Sequence, residues 1–219
     1  MIKAQLELLR AKIPPHVTLI AVSKTKPLID LQAAYAAGQR HFGENKVQEM
    51  VEKAAQLPTD IHWHLIGHLQ TNKVKYMAGF VHLIHGVDSL KLLQEINKQA
   101  QKVGRIQDVL LQFYIAQEET KFGLDYTEAQ EILESSAFKD LQNIRICGVM
   151  GMASFTTDQL QIAAEFQHLK SVFEKLKTNY FEQASSFKEI SMGMSGDYLI
   201  AIGNGSTMVR VGSKIFGGR

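Results

Sequence analysis

Cysteine is almost missing: Cys147 stands alone in "IRICGVM", so no disulfide can form within the chain. A small, buried, inert side chain is the expected reading of it. Proline is sparse, four in 219 residues, and no Gly/Ser/Pro linker or low-complexity tract divides the chain. One domain over 1–219 is therefore expected. Neither sign of charge dominates, with 24 Lys and Arg against 22 Asp and Glu. Acids and bases are interspersed, so neither nucleic acid nor a membrane surface is demanded as a partner. Aromatic residues do not interleave with basic runs, which leaves a nucleic-acid role unsupported. No apolar run approaches a membrane span. The N-terminal "MIKAQLELLRAK" carries Lys3, Glu7 and Arg10 where a secretory signal would be apolar. Its Ile2, Leu6, Leu9 and Ile13 instead trace one face of a helix. A cytoplasmic protein is expected.

What the chain does have is alternation. Short apolar or β-branched runs lie at 17–23, 40–43, 62–66, 82–87, 106–115, 144–150, 188–192 and 208–211. Helical patterns fill 28–37, 47–57, 70–78, 89–103, 127–135, 158–178 and 196–202, with Asp88 or Ser89, Thr127 and Asp158 as N-caps. Strands alternating with helices imply a parallel sheet covered by helices. Eight such repeats predict an α/β fold, a closed (β/α)8 TIM barrel with an extra N-terminal helix; an open doubly wound sheet is the alternative.

In such a barrel, chemistry collects where the strands end and the following loops converge. Lys24 stands there after the first run, Glu44 and Asn45 after the second, and Lys121 after the fifth. "SMGMSGD" (Ser191, Met192, Gly193, Ser195) follows the seventh, and Gly212 and Ser213 follow the eighth. The last two loops suit a phosphate, because glycines admit backbone N–H groups and serines add donors. The same residues also make ordinary turns. Lys24 is a candidate Schiff-base nucleophile if desolvation frees its amine, and otherwise a solvated lysine. Lys26 shares its side if the backbone stays extended. Arg210, between Met208, Val209 and Val211, needs either a ligand or an ion pair with Glu44 or Asp88. For His62, His64 and His68 no carboxylate or cysteine completes a metal set, so structural roles are expected and no metal site is assigned. "GNGST" has neither dinucleotide nor P-loop spacing, and "GMSGD" is not a nucleophile elbow.

Taken in order, "AVSKTKP", "HFGENKVQEM", "WHLIGHLQTNK", "KFGL", "SMGMSGD" and "GSTMVRVGSKIFGGR" resemble the pyridoxal phosphate homeostasis protein family, single-domain relatives of the alanine racemase N-terminal barrel. The resemblance runs from about Ile20 to the C-terminus. It implies that Lys24 holds pyridoxal 5′-phosphate as an internal aldimine and that Asn45 lines the pocket. It further implies that Ser191, Met192, Ser195, Gly212 and Ser213 hold ring and phosphate, and that Arg210 faces the pyridine nitrogen. Gly196 stands where the family pattern has Asp or a similar residue. A non-enzymatic cofactor carrier, monomeric, with apo-forms of pyridoxal-phosphate enzymes as recipients, is the expected function. A racemase-like enzyme is the alternative. It is disfavoured because alanine racemase adds a C-terminal domain with a catalytic tyrosine, and this chain ends eight residues after Val211. A Schiff-base aldolase on the same barrel is the third reading.

Overall fold

The computed structural model describes residues 1–117 and 123–218. Its strands are β1 (Thr18–Val22), β2 (His41–Glu44), β3 (His62–Leu65), β4 (Leu83–Val87), β5 (Gln107–Gln112), β6 (Ile144–Met150), β7 (Glu189–Met194) and β8 (Met208–Val211). They pair in parallel and in sequence order, and β8 returns to β1 to close the barrel. The predicted TIM barrel is the observed fold, and the open sheet is excluded. Around it lie α1 (Ile2–Arg10), α2 (Leu28–Ala36), α3 (Val47–Ala54), a 3-10 helix (Thr71–Tyr76), α4 (Leu90–Lys102), α5 (Tyr126–Glu134), α6 (Ser136–Lys139), α7 (Gln159–Tyr180), α8 (Tyr198–Gly203) and α9 (Ser213–Phe216).

The period of two along each strand separates two cores. From β1, Leu19 and Ala21 pack into the layer between strands and helices, with Phe42, Phe166 and Phe187. Ile20 turns the other way and meets Leu83, Leu110, Cys147, Met150 and Met208 inside the barrel. The outer layer is the larger, and each fully buried phenylalanine in it contributes about 1.5–3 kcal/mol relative to exposure. Cys147 is buried, and burial pushes its thiol up to about 12, as expected of an inert core residue.

Local differences from the sequence reading have physical causes. The segment after β3 is a short 3-10 helix that buries Val74 and ends at the buried Met77. Asp125 rather than Thr127 caps α5: it accepts from Glu128 N while Glu128 reaches back to Asp125 N, a complete capping box. Ser89 and Asp158 cap α4 and α7 as expected. The short α6 and α9 have too few residues for a periodic signal.

Candidate functional site

Lys24 sits on a turn, closed by Lys26 N donating to Ser23 O at 3.0 Å. Thr25, at its corner, has φ +63, a left-handed conformation costly for a β-branched residue. The turn breaks the extended run, and Lys26 lines the same cavity as Lys24 with its amine committed elsewhere. Its amine donates to the carbonyls of Phe216, Gly217 and Gly218 at 3.3, 3.1 and 3.0 Å. Lys24, half-buried, has no hydrogen-bond or ion-pair partner among the described residues.

The turn is braced from the outer side of the barrel. The amine of Lys53 in α3 donates to Ser23 O, Glu44 Oε1 and Glu49 Oε1, each at 2.7 Å. The Ser23 hydroxyl donates to the same Glu44 oxygen at 2.6 Å, and Thr25 N donates to Glu49. Burial raises the pKa of the Glu44 carboxyl, opposed by the bonds from Lys53 and Ser23. Glu44 Oε2 is buried without a partner among the described residues.

Arg210 enters the barrel interior from β8 and is 3% exposed. Its Nη1 donates to Ser191 O at 2.8 Å and to the Ser191 hydroxyl at 2.6 Å, and its Nη2 to Gly151 O at 3.0 Å. Of its five N–H bonds, two have no partner among the described residues. Burial lowers its pKa to about 10, with Asp197 acting the other way, so it remains charged at neutral pH. The ion pair with Glu44 or Asp88 does not form, because Glu44 faces outward to Lys53 and the guanidinium is held by oxygens of β7 and Gly151.

Behind Arg210 the axis of the barrel is polar. Ser191 Oγ lies 2.9 Å from His85 Nδ1, His85 Nε2 2.9 Å from His64 Nδ1, and His64 Nε2 2.9 Å from His41 Nδ1. Arginine only donates, so the Ser191 hydrogen is free to point at His85. In each ring–ring contact one nitrogen donates and the other accepts, and the tautomers set the direction in which the column runs. Burial holds His64 and His85 neutral, well below the usual imidazole range, and holds His41 at about 4, with neighbouring histidines adding to it.

Lys24, Asn45, Ser195, Arg210, Gly212 and Ser213 all line one cavity of about 550 Å³ at the C-terminal ends of the strands. Ser195 Oγ accepts from Gly212 N at 3.2 Å and so ties the β7 loop to the β8 loop. Gly193, at φ +94, lets β7 pass α8 where a Cβ would stand 2.5 Å from Ala201. The other two proposed residues are placed elsewhere. Ser191 is fully buried beneath Arg210, and Met192 turns away from the cavity into the layer between barrel and helices. Lys121 lies outside the described residues.

Sequence reasoning missed the groups that fix the cavity's rim. Ser154 in the loop after β6 donates from its N and its hydroxyl to Glu165 of α7, both at 2.7 Å. Glu165 is 4% exposed. Its signal was an acid within the apolar stripe Ile162, Phe166, Leu169. Lys53 gave a similar signal, sharing a helix face with Met50 while standing four residues after Glu49.

The model of the family "Alanine racemase, N-terminal domain" matches residues 1–219. The pyridoxal phosphate homeostasis protein of Aquifex aeolicus is 37% identical over 202 residues, 92% of this chain and 86% of the relative. The protein of that name from Synechocystis is 38% identical over 212 residues, 95% and 94% of the two chains. PipY of Synechococcus elongatus, solved with PLP bound, superimposes with a TM-score of 0.87 at 37% identity, covering 99% of this chain and all of its own. Without PLP the same protein gives 0.90. An alanine racemase of Clostridium difficile, at 15% identity and a TM-score of 0.81 over 60% of its length, shares the fold. A barrel lysine without a partner, a buried arginine across the same cavity and these full-length likenesses agree: the chain belongs to the pyridoxal phosphate homeostasis protein family, on the alanine racemase N-terminal barrel.

Proposed function

We propose that this chain binds pyridoxal 5′-phosphate through Lys24 and serves vitamin B6 homeostasis in the cytoplasm, carrying, buffering or delivering the cofactor rather than turning over a substrate. The observation that carries the reading is a single cavity walled by a lysine amine without a partner and a buried arginine with donors to spare. Its volume falls in the range of small-ligand sites, roughly 300–1,000 Å³. The donor set fits the chemistry of the group: an amine for the aldehyde, a guanidinium for the ring nitrogen, and hydroxyls with glycine-flanked N–H groups for the phosphate. PipY, solved with PLP bound, supports the same assignment.

When bound, the cofactor supplies an electrophilic carbonyl and an electron-withdrawing ring. Lys24 would hold it through its amine. Arg210 donates and cannot accept, so opposite the ring nitrogen it would leave that nitrogen unprotonated and weaken electron withdrawal. That favours retention over chemistry at a substrate carbon. Ser195 and Ser213 bind the phosphate. A monomer that hands the cofactor to apo-enzymes is the form expected to act. No helix among the described residues is long and apolar enough to cross a membrane.

The test is uptake of one equivalent of pyridoxal phosphate with a visible absorbance band, then borohydride reduction and peptide mapping. The cofactor mass is expected on the peptide containing Lys24, and Lys24→Ala is expected to lose the band while unfolding at the same urea midpoint. A colourless protein that cannot be reconstituted overturns the reading. Transfer to an apo-enzyme no faster than from free cofactor overturns the delivery role.

A further inference from the structure

Five of the eight histidines meet at the N-terminal half of the barrel, away from the cofactor cavity. His64 and His85 belong to the buried axial column. His41 ends that column, and it converges with His62 and His82. His41 on β2 is the direct register partner of His62 on β3. His82, one residue before β4, donates its backbone N–H to Trp63 O at 2.8 Å, which fixes it beside the same level of β3. The rings of His62 and His82 stack at 4.4 Å, and those of His41 and His62 meet edge-on at 4.6 Å. One ring nitrogen from each of the three lies within 4.8 Å of the others.

We propose that His41, His62 and His82 form a binding site for a divalent transition-metal ion of the zinc class at the barrel's N-terminal end. Three imidazoles with an open fourth position are a common zinc arrangement. Zn–N bonds of ~2.1 Å set ligand nitrogens about 3.4 Å apart in a tetrahedral shell. Side-chain rotation of His62 and His82, which are at least partly exposed, closes that difference. His41 is the fixed ligand: with its Nδ1–H donated to His64 Nε2, 2.9 Å away, its Nε2 lone pair is left for the metal. A hydrogen bond to the far ring nitrogen is the usual support for a ligating histidine. The three residues stand on or beside adjacent strands, a rigid base for a site.

The chemistry of the set selects the ion. The nearby carboxylate, Asp108, is committed to Arg145 through two bonds of 2.7 and 2.9 Å. An all-nitrogen set repels hard ions such as Mg²⁺ and Ca²⁺ and suits Zn²⁺, Ni²⁺ or Cu²⁺. Arg105 near His82 has its guanidinium on the carbonyls of Ala78 and Val81, so it does not block the approach.

The test uses the full chain without any polyhistidine tag, stripped with chelator and titrated with Zn²⁺ against a chromophoric competitor. One equivalent is expected to bind, with X-ray absorption showing nitrogen and oxygen ligands only. His62→Ala and His82→Ala, both at accessible positions, are each expected to weaken binding at least about tenfold, the loss that even removing a supporting hydrogen bond brings. His168→Ala, on the exposed side of α7, is expected to leave it unchanged. No saturable binding, or equal binding by the His62 and His168 variants, overturns the site. Circular dichroism of each variant separates lost ligation from lost folding.

Discussion

The amine of Lys53 lies 2.7 Å from the carbonyl oxygen of Ser23, directly behind the turn that presents Lys24. A lysine on a helix thus holds the end of a strand, and two glutamates share the same nitrogen. Replacing it by methionine keeps the length but leaves Glu44 buried with its charge uncompensated. Lys53→Met is expected to cost about 3–5 kcal/mol in urea unfolding. Adding Glu44→Gln is expected to recover part of that, because the two residues are in direct contact. Equal stability of Lys53→Met and the parent would show that the brace is idle.

Thr25 pays for the corner of the same turn. Its φ of +63 costs about 1–2 kcal/mol for an L-residue with a branched side chain. Glycine removes that strain and gives back roughly 0.5–1 kcal/mol in backbone entropy. Thr25→Gly is expected to raise the urea midpoint slightly, by the equivalent of about 0.5–1 kcal/mol. Its cofactor uptake is expected to be no weaker. A lower midpoint would show that the threonine side chain supplies something beyond its conformation.

Acid is expected to act on the histidine column. His41, His64 and His85 have folded values below the ordinary 6.5, His41 at about 4, with burial the first cause in each. The unfolded chain takes up protons as pH drops through 6.5 and the folded one does not. Their contribution to stability is therefore present above about 6.5 and lost as pH falls toward about 4. Glu44, with a raised value, runs the other way: its contribution grows as pH falls. Urea midpoints from pH 7 to pH 4 are expected to fall, and to fall less steeply in His64→Gln. Parallel slopes in the two proteins would place the acid sensitivity elsewhere.

Glu165 governs the loop over the cavity. It receives both the backbone N–H and the hydroxyl of Ser154 and is also reached by Gln161 at 3.1 Å. Glu165→Ala leaves buried donors unpaired and is expected to cost about 1–3 kcal/mol. Because Ser154 lines the cavity, pyridoxal phosphate is also expected to dissociate several-fold faster. A stability loss with unchanged dissociation would confine Glu165 to folding.

The barrel was legible because each strand is a compact apolar run and each helix carries a wider period, so β1 to β8 could be counted in order. Lys24, Asn45 and Arg210 were legible because each stands at, or enters toward, the strand end where loops converge. Three-dimensional pairings were not. That Lys26 reaches the carbonyls of Gly217 and Gly218 depends on a fold that brings residues some 190 positions apart together. The left-handed corner at Thr25 was hidden because threonine is a poor marker for that conformation. The histidines fell on or beside three different strands, so no linear spacing joined His41 to His82. The side-chain direction of Met192 was likewise not read from its glycine-rich motif: strand alternation sends it to the outer core.

The column from His41 to Arg210 also constrains how this protein can change over generations. Each inner member, Ser191, His85 and His64, is bonded to the neighbour on either side. An aliphatic replacement at any link strands two buried polar atoms instead of one. Single substitutions are thus heavily penalised, whereas His64 and His85 with their buried partners could be exchanged together for a greasy set with little loss of stability. The centre of the barrel is heritable as a block, like a word whose letters cannot be respelled one at a time.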